Sequence, residues 1–183
     1  MVIRAYRTED EQQAEQICLG TSADPKMDHS MFREAVLEVF CRYYLQNTPE
    51  HCFVAVDEHN KVQGYILCAP DFAVYESGIR QKISRFPQNP VIPIMTEGTL
   101  SAMRPFSEEY PAHLHIDLAP SCQGKGIGRE LVHTLCNHLR NLHAPGLMLN
   151  VARDNTGAIR FYEKLGFTQL SENEAECAYG MKL

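Results

Sequence analysis

The stretch that most constrains this chain is 113–131, HLHIDLAPSCQGKGIGREL. Leu114, Ile116 and Leu118 alternate with His113, His115 and Asp117, the period-2 pattern of a two-faced strand. Ala119-Pro120 stops that strand, because proline cannot donate to a ladder and restricts the residue before it. Gln123, Gly124, Lys125, Gly126, Ile127 and Gly128 follow, and Leu131, Val132, Leu135 and Leu139 then recur at helical spacing over 128–142. Glycines let the backbone take positive φ and approach a ligand closely, and the first helical N–H groups have no intrahelical partner. With the positive end of the helix dipole, those donors suit a pyrophosphate. A tight strand-to-helix turn without a ligand would use the same residues. The loop matches neither G-x-x-x-x-G-K-[ST] nor G-x-G-x-x-G.

The remaining segments fall into alternating strand and helix patterns. Strands are expected over 2–7, 52–56, 61–68, 146–151, 167–170 and 175–181, with a bulge at Gly64. Thr8 and Glu11 form a capping-box pattern opening a helix that Gly20 closes. A second helix is expected over 30–46, and a last one over 156–165, capped by Asp154 or Asn155 and stopped by Gly166. The segment 71–110 is patterned least. It offers a helix over 75–86 carrying Arg80, Lys82 and Arg85 on a solvated face, then an extended loop marked by Pro87, Pro90 and Pro93. The architecture expected is α/β, a mixed, twisted sheet of six or seven strands with helices on both faces and a right-handed crossover around the 128–142 helix. With 183 residues and 44% hydrophobic content, the chain suffices for a single domain over 1–183.

Composition narrows the partners. No apolar run reaches the roughly 18 residues of a membrane span, and 1–4 does not open a signal peptide. A net charge of −6 argues against nucleic acid and suits a cationic acceptor such as an amine. The 7 cysteines are scattered without any C-x-x-C and read as reduced thiols in the cytoplasm.

Gln123, Gly126 and Gly128 form Q-x-x-G-x-G directly after a hydrophobic strand, a run that resembles the acyl-coenzyme A loop of the GCN5-related N-acetyltransferases. After one helix and one strand, Asn155, Ala158, Phe161, Tyr162, Lys164, Gly166 and Phe167 fill a pattern similar to that family's N-x-x-A-x-x-F-Y-x-K-x-G-F. The HLHIDL strand also resembles the acetyltransferase-like domain attached to some O-GlcNAc hydrolases and its free-standing relatives. The resemblance implies acetyl-CoA as co-substrate, no metal, and direct transfer in a ternary complex to a primary amine. The acceptor would be a small molecule or a protein lysine or N-terminus, the 71–110 segment would shape its pocket, and a homodimer would be compatible. The backbone of Asp117, Leu118 and Ala119 would pair with pantetheine and donate to the oxyanion. Amides from Gln123, Gly124, Lys125, Gly126, Ile127 and Gly128 would hold the pyrophosphate, Lys125 adding charge, and Asn155 would contact the pantetheine arm. Tyr162 would sit near the coenzyme sulfur and protonate the departing thiolate.

The base stays open on sequence. His113, His115 and Asp117 share one strand face. They can be read as a relay in which His115 or Asp117 deprotonates the ammonium through water, as a metal pair, or as polar residues satisfied within the fold. Glu97 is a second candidate base, and Cys122 borders the loop without a charge pattern that would activate it. Direct transfer, as the resemblance has it, requires no acyl-cysteine. Two function classes follow: an N-acetyltransferase, or a non-catalytic acyl-CoA-binding or protein-interaction domain of pseudo-acetyltransferase type.

Overall fold

The computed structural model describes residues 1–22 and 25–183. Seven strands form one sheet: β1 (Val2–Ala5), β2 (Phe53–Val56), β3 (Val62–Ala69), β4 (Ala112–Leu118), β5 (Gly146–Ala152), β6 (Thr168–Glu172) and β7 (Glu176–Lys182). Their order is β1-β2-β3-β4-β5-β7-β6, antiparallel everywhere except between β4 and β5. That parallel pair needs a long crossover, supplied by α6 (Ile127–Asn141). The other helices are α1 (Glu11–Thr21), α2 (Ser30–Leu37), α3 (Tyr43–Asn47), α4 (Phe72–Ile83), α5 (Val91–Met103) and α7 (Thr156–Lys164).

Strand alternation divides the core into two layers. Ile66, Cys68 and Leu114 point to one face, where they pack with Leu131, Leu135 and Leu139 of α6 and Tyr162 of α7. Tyr65 and Leu67 point to the other, with Cys18 of α1, Tyr44 of α3, Tyr75 and Ile79 of α4 and Leu100 of α5. The expected sheet and its helical layers are therefore present.

Several local expectations change. The first helix is entered through a 3-10 turn, Thr8–Asp10, and the cap is Asp10, whose carboxylate accepts from the Arg7 N–H at 2.9 Å, not a Thr8–Glu11 box. Gly20 lies inside α1. The helix expected over 30–46 is broken by a π turn, Glu38–Arg42, between α2 and α3. The bulge falls at Gln63, opposite the Ala55–Val56 step, one residue before Gly64. Residues 91–103 form α5 and not an extended loop, since Pro93 occupies the first turn, where an N–H has no helical partner to lose.

The parallel seam is short. β4 pairs with β5 only through Ala112↔Leu147 and His113↔Met148, whereas β4 pairs with β3 as far as Leu118 and β5 pairs with β7 as far as Ala152. The carboxyl-terminal halves of β4 and β5 therefore part, and the sheet opens where α/β folds commonly receive ligands.

Candidate active site

The opening has one edge of bare backbone. The Ala119 N–H donates to the Gln63 carbonyl at 2.9 Å, so alternation along the ladder turns the amide groups of Asp117 and His115 toward β3 as well. Those of Ile116 and Leu118 point the other way, into the gap, where β5 offers no ladder partner. Gln123 Nε2 donates to the Leu118 carbonyl at 3.3 Å, which leaves the Leu118 N–H, with that of Ile116, as donors facing the opening. Ala119 has committed its N–H and cannot serve as a further one.

The Leu118 side chain is gripped by two glycines. A Cβ on Gly64 would lie 2.3 Å from Leu118 Cδ2, and one on Gly128 would lie 3.3 Å from Cδ1 and 3.1 Å from Phe161 Cζ. Beyond them the loop turns through Gly124 at φ +72° and Gly126 at φ +84°, backbone that an L side chain enters at a cost of roughly 1–2 kcal/mol. Gln123, Gly124, Lys125 and Gly126 are exposed, while Ile127 and Gly128 are buried beneath them. Gly126 accepts the first α6 bond, from Glu130 at 3.2 Å, so the N–H groups of Ile127, Gly128 and Arg129 lie at the free amino end of α6. The loop thus offers a set of free amide donors that fits a pyrophosphate.

Tyr162 enters from α7, buried between the rings of Phe161 and Phe167. Burial and the charge of Asp117 hold its hydroxyl protonated, well above the ordinary phenol range. Asn155 spends its side-chain oxygen on capping α7, accepting from the Ala158 N–H at 3.1 Å.

The His-x-His-x-Asp face splits in two. His113 is 1% exposed, bonded through Nε2 to the Tyr44 hydroxyl at 3.0 Å and packed 4.2 Å from the Tyr75 ring; it is a neutral core residue. His115 and Asp117 are partly exposed and pair directly, Nε2 to Oδ2, at 3.0 Å. Asp117 Oδ2 also accepts from the Tyr65 hydroxyl at 2.5 Å, and Phe40, from the π turn, stacks on the imidazole with centroids 5.3 Å apart. Cys18 of α1 completes the group: its sulfur, a His115 ring nitrogen and an Asp117 oxygen lie within 4.8 Å of one another. Burial opposes a charged imidazole, yet Asp117 and then Cys18 push His115 up to about 10. The neighbouring Cys41 thiol and then His115, working against burial, bring Cys18 below the ordinary thiol range.

Glu97 lies away from this group, ion-paired on the surface with Arg80 at 2.6 Å and Arg104 at 3.2 Å. Cys122 is buried, its sulfur 3.6 Å from Gln63 Oε1. Cys18, Tyr65 and Phe40 were not singled out by sequence. Cys18 sits four residues after Ala14 on the buried stripe of α1, the spacing of an ordinary core position, so its pattern says core and nothing more.

Comparison with known proteins adds the family. The Acetyltransferase (GNAT) family profile matches residues 21–167. The chain belongs to this family, whose enzymes use acetyl-CoA. Among curated GNAT relatives, mycothiol acetyltransferases of Thermomonospora curvata and Streptosporangium roseum are 44% and 46% identical over 54 residues. Each match takes in 30% of this chain and only 18% and 16% of the relative, so the chain spans under a fifth of those proteins. The crystal structure of SsHAT superposes with a TM-score of 0.85 at 27% identity, covering 99% of this chain and 97% of that one. An agmatine N-acetyltransferase shares the fold, with a TM-score of 0.67 at 15% identity and coverage of 100% and 99%.

Proposed function

We propose that this GNAT chain is an acetyl-CoA-dependent N-acetyltransferase that passes the acetyl group directly to a primary amine. The observation that carries this reading is the parted β4–β5 seam, which sets the bare Leu118 N–H beside a glycine loop at the amino end of α6. The loop amides hold the pyrophosphate, and the free edge at Ile116 and Leu118 pairs with the pantetheine arm. The Leu118 N–H then donates to the oxyanion of the tetrahedral intermediate. His115 and Asp117 take the proton of the amine, through water, and the Tyr162 hydroxyl protonates the departing coenzyme thiolate. Holding both substrates in register supplies on the order of 7–11 kcal/mol of the barrier reduction.

Segment 71–110 forms the acceptor-side wall through α4 and α5; Asn150 Nδ2 of β5 donates to the Thr99 carbonyl of α5 at 3.5 Å, fixing that wall to the opening. The net charge of −6 favours a cationic acceptor, a small amine or a peptide lysine or N-terminus. Buried, unpaired thiols at all seven cysteines support a reducing compartment such as the cytoplasm.

The test is thermal unfolding with acetyl-CoA, with dephospho-CoA and adenine nucleotides as comparators. At about 100 times its dissociation constant, acetyl-CoA adds roughly 2.7 kcal/mol, a rise of about 5–10 °C for a chain of this size. Tyr162→Phe then lowers kcat about 10²–10⁴-fold with unchanged cofactor affinity. No shift at millimolar acetyl-CoA would leave the loop as a turn and favour a non-catalytic domain.

A further inference from the structure

The group around His115 holds more than a base for an external amine requires. A carboxylate orients the imidazole at 3.0 Å, and a tyrosine hydroxyl holds that carboxylate at 2.5 Å. Beside the imidazole lies the buried Cys18 thiol, with sulfur, nitrogen and oxygen within 4.8 Å of one another. A nucleophile, a base and an acid that orients the base, gathered at this range, are the groups that covalent catalysis uses. The Cys41 thiol of the neighbouring turn and the charged imidazole both favour thiolate over thiol at Cys18. Both Cys41 and the stacking ring of Phe40 come from the π turn, an irregularity often found at functional sites. A metal centre would need lone pairs converging on one shared point; here nitrogen and carboxylate bond directly to each other.

We propose that Cys18 is an activated thiolate that accepts acyl groups from coenzyme A thioesters, giving an S-acyl-Cys18 enzyme. The proposal rests on the reading that the thioester lies in the β4–β5 opening, beside His115 and Asp117. The Cys18 thiolate, paired with the protonated His115, attacks the acetyl carbon. The carbon–sulfur bond to coenzyme A breaks, and the coenzyme thiolate takes the proton from His115. One thioester replaces another and one thiol replaces another, so no oxidant or further reactant enters. Amine and Cys18 thus share one base and compete for one acetyl group. Without amine, the acetyl group moves to Cys18.

The first test incubates the full chain with acetyl-CoA and no amine, followed by intact mass and peptide mapping. One acetyl group on Cys18 is expected, none after Cys18→Ser, and labelling at least ~100-fold slower after His115→Gln. Each variant is first shown to keep its acetyl-CoA thermal shift, which separates lost chemistry from lost folding. A normal shift with no acetyl on Cys18, or with acetyl on another cysteine, overturns this proposal alone; an absent shift overturns the transferase reading as well.

Alkylation with iodoacetamide tests the thiolate without any coenzyme. The titratable groups facing Cys18 are Cys41 of the π turn and His115 and Asp117 of β4, with Tyr65 of β3 beyond Asp117 and Glu15 of α1 near Cys41. Half-maximal labelling of Cys18 is expected well below the ~8.5 of a free cysteine. An ordinary midpoint, or resistance at every pH while the protein stays folded, rejects it.

Discussion

His113 and His115 lie two residues apart on one face of one strand, yet their surroundings drive them in opposite directions. α3 and α4 close over His113, and burial, with the nearby His115 charge adding to it, lowers it to about 3. Its neutral ring cannot take the proton that the unfolded chain accepts below about pH 6.5, so stability falls as pH drops from there toward 3. His113→Phe should flatten that part of a Tm–pH curve while lowering Tm at neutral pH, since the buried Tyr44 hydroxyl loses its partner at a cost of about 1–3 kcal/mol. His115, raised to about 10, has the reverse sign: its contribution to stability is complete below about pH 6.5 and lost as pH rises through 10. As base for the amine it works deprotonated, so the transfer rate should climb toward pH 10, and His115→Asn should abolish that limb. Two-residue periodicity placed both on one face. Depth comes from which helices cover that face, and no local pattern encodes it.

At the scale of elements, Leu118 couples the strand to the loop because it fills the space left by Gly64 and Gly128. Gly128→Ala forces a Cβ to 3.1 Å from Phe161 and should cost roughly 1–3 kcal/mol while weakening acetyl-CoA binding. Gly64→Ala crowds both the Leu118 side chain and, at 3.0 Å, the Asp117 carbonyl, so it shifts the strand end that carries the oxyanion donor. Its loss should therefore appear in kcat more than in cofactor affinity, as steady-state kinetics against binding would show. The elements read best from sequence were those with a strong period and a clear stop: β4 with Pro120, α6, and α7 with Asn155 and Gly166. α5 was hidden because Pro93 is as compatible with a helix start as with a loop. The glycine loop and Tyr162 were legible because their spacing is local. Cys18 was not, because its meaning depends on residues about a hundred positions away.

The whole molecule is two half-sheets, β1–β4 and β5–β7, joined at the sheet by two register pairs and bridged by α6. Acetyl-CoA lying along β4 would join them at their weakest seam. Hydrogen exchange should accordingly slow on binding at Ile116, Leu118 and the amides of 124–129, with little change in β1 or β2; protection confined to the loop would place the pantetheine arm elsewhere.

The π turn makes this site depend on chain length as well as on residue type. A π turn is an α-helix carrying one surplus residue, so removing any single residue from Glu38–Arg42 lets α2 and α3 run on as one regular helix. Because the π turn takes up its surplus residue within one wide turn, the deletion leaves α2 and α3 in phase and moves the side chains of the turn itself. The outer wall of the domain keeps its apolar stripe, while Phe40 and the thiol beside it swing off the imidazole. Relatives of this chain that lack that one residue would share its fold and be unable to share its Cys18 chemistry.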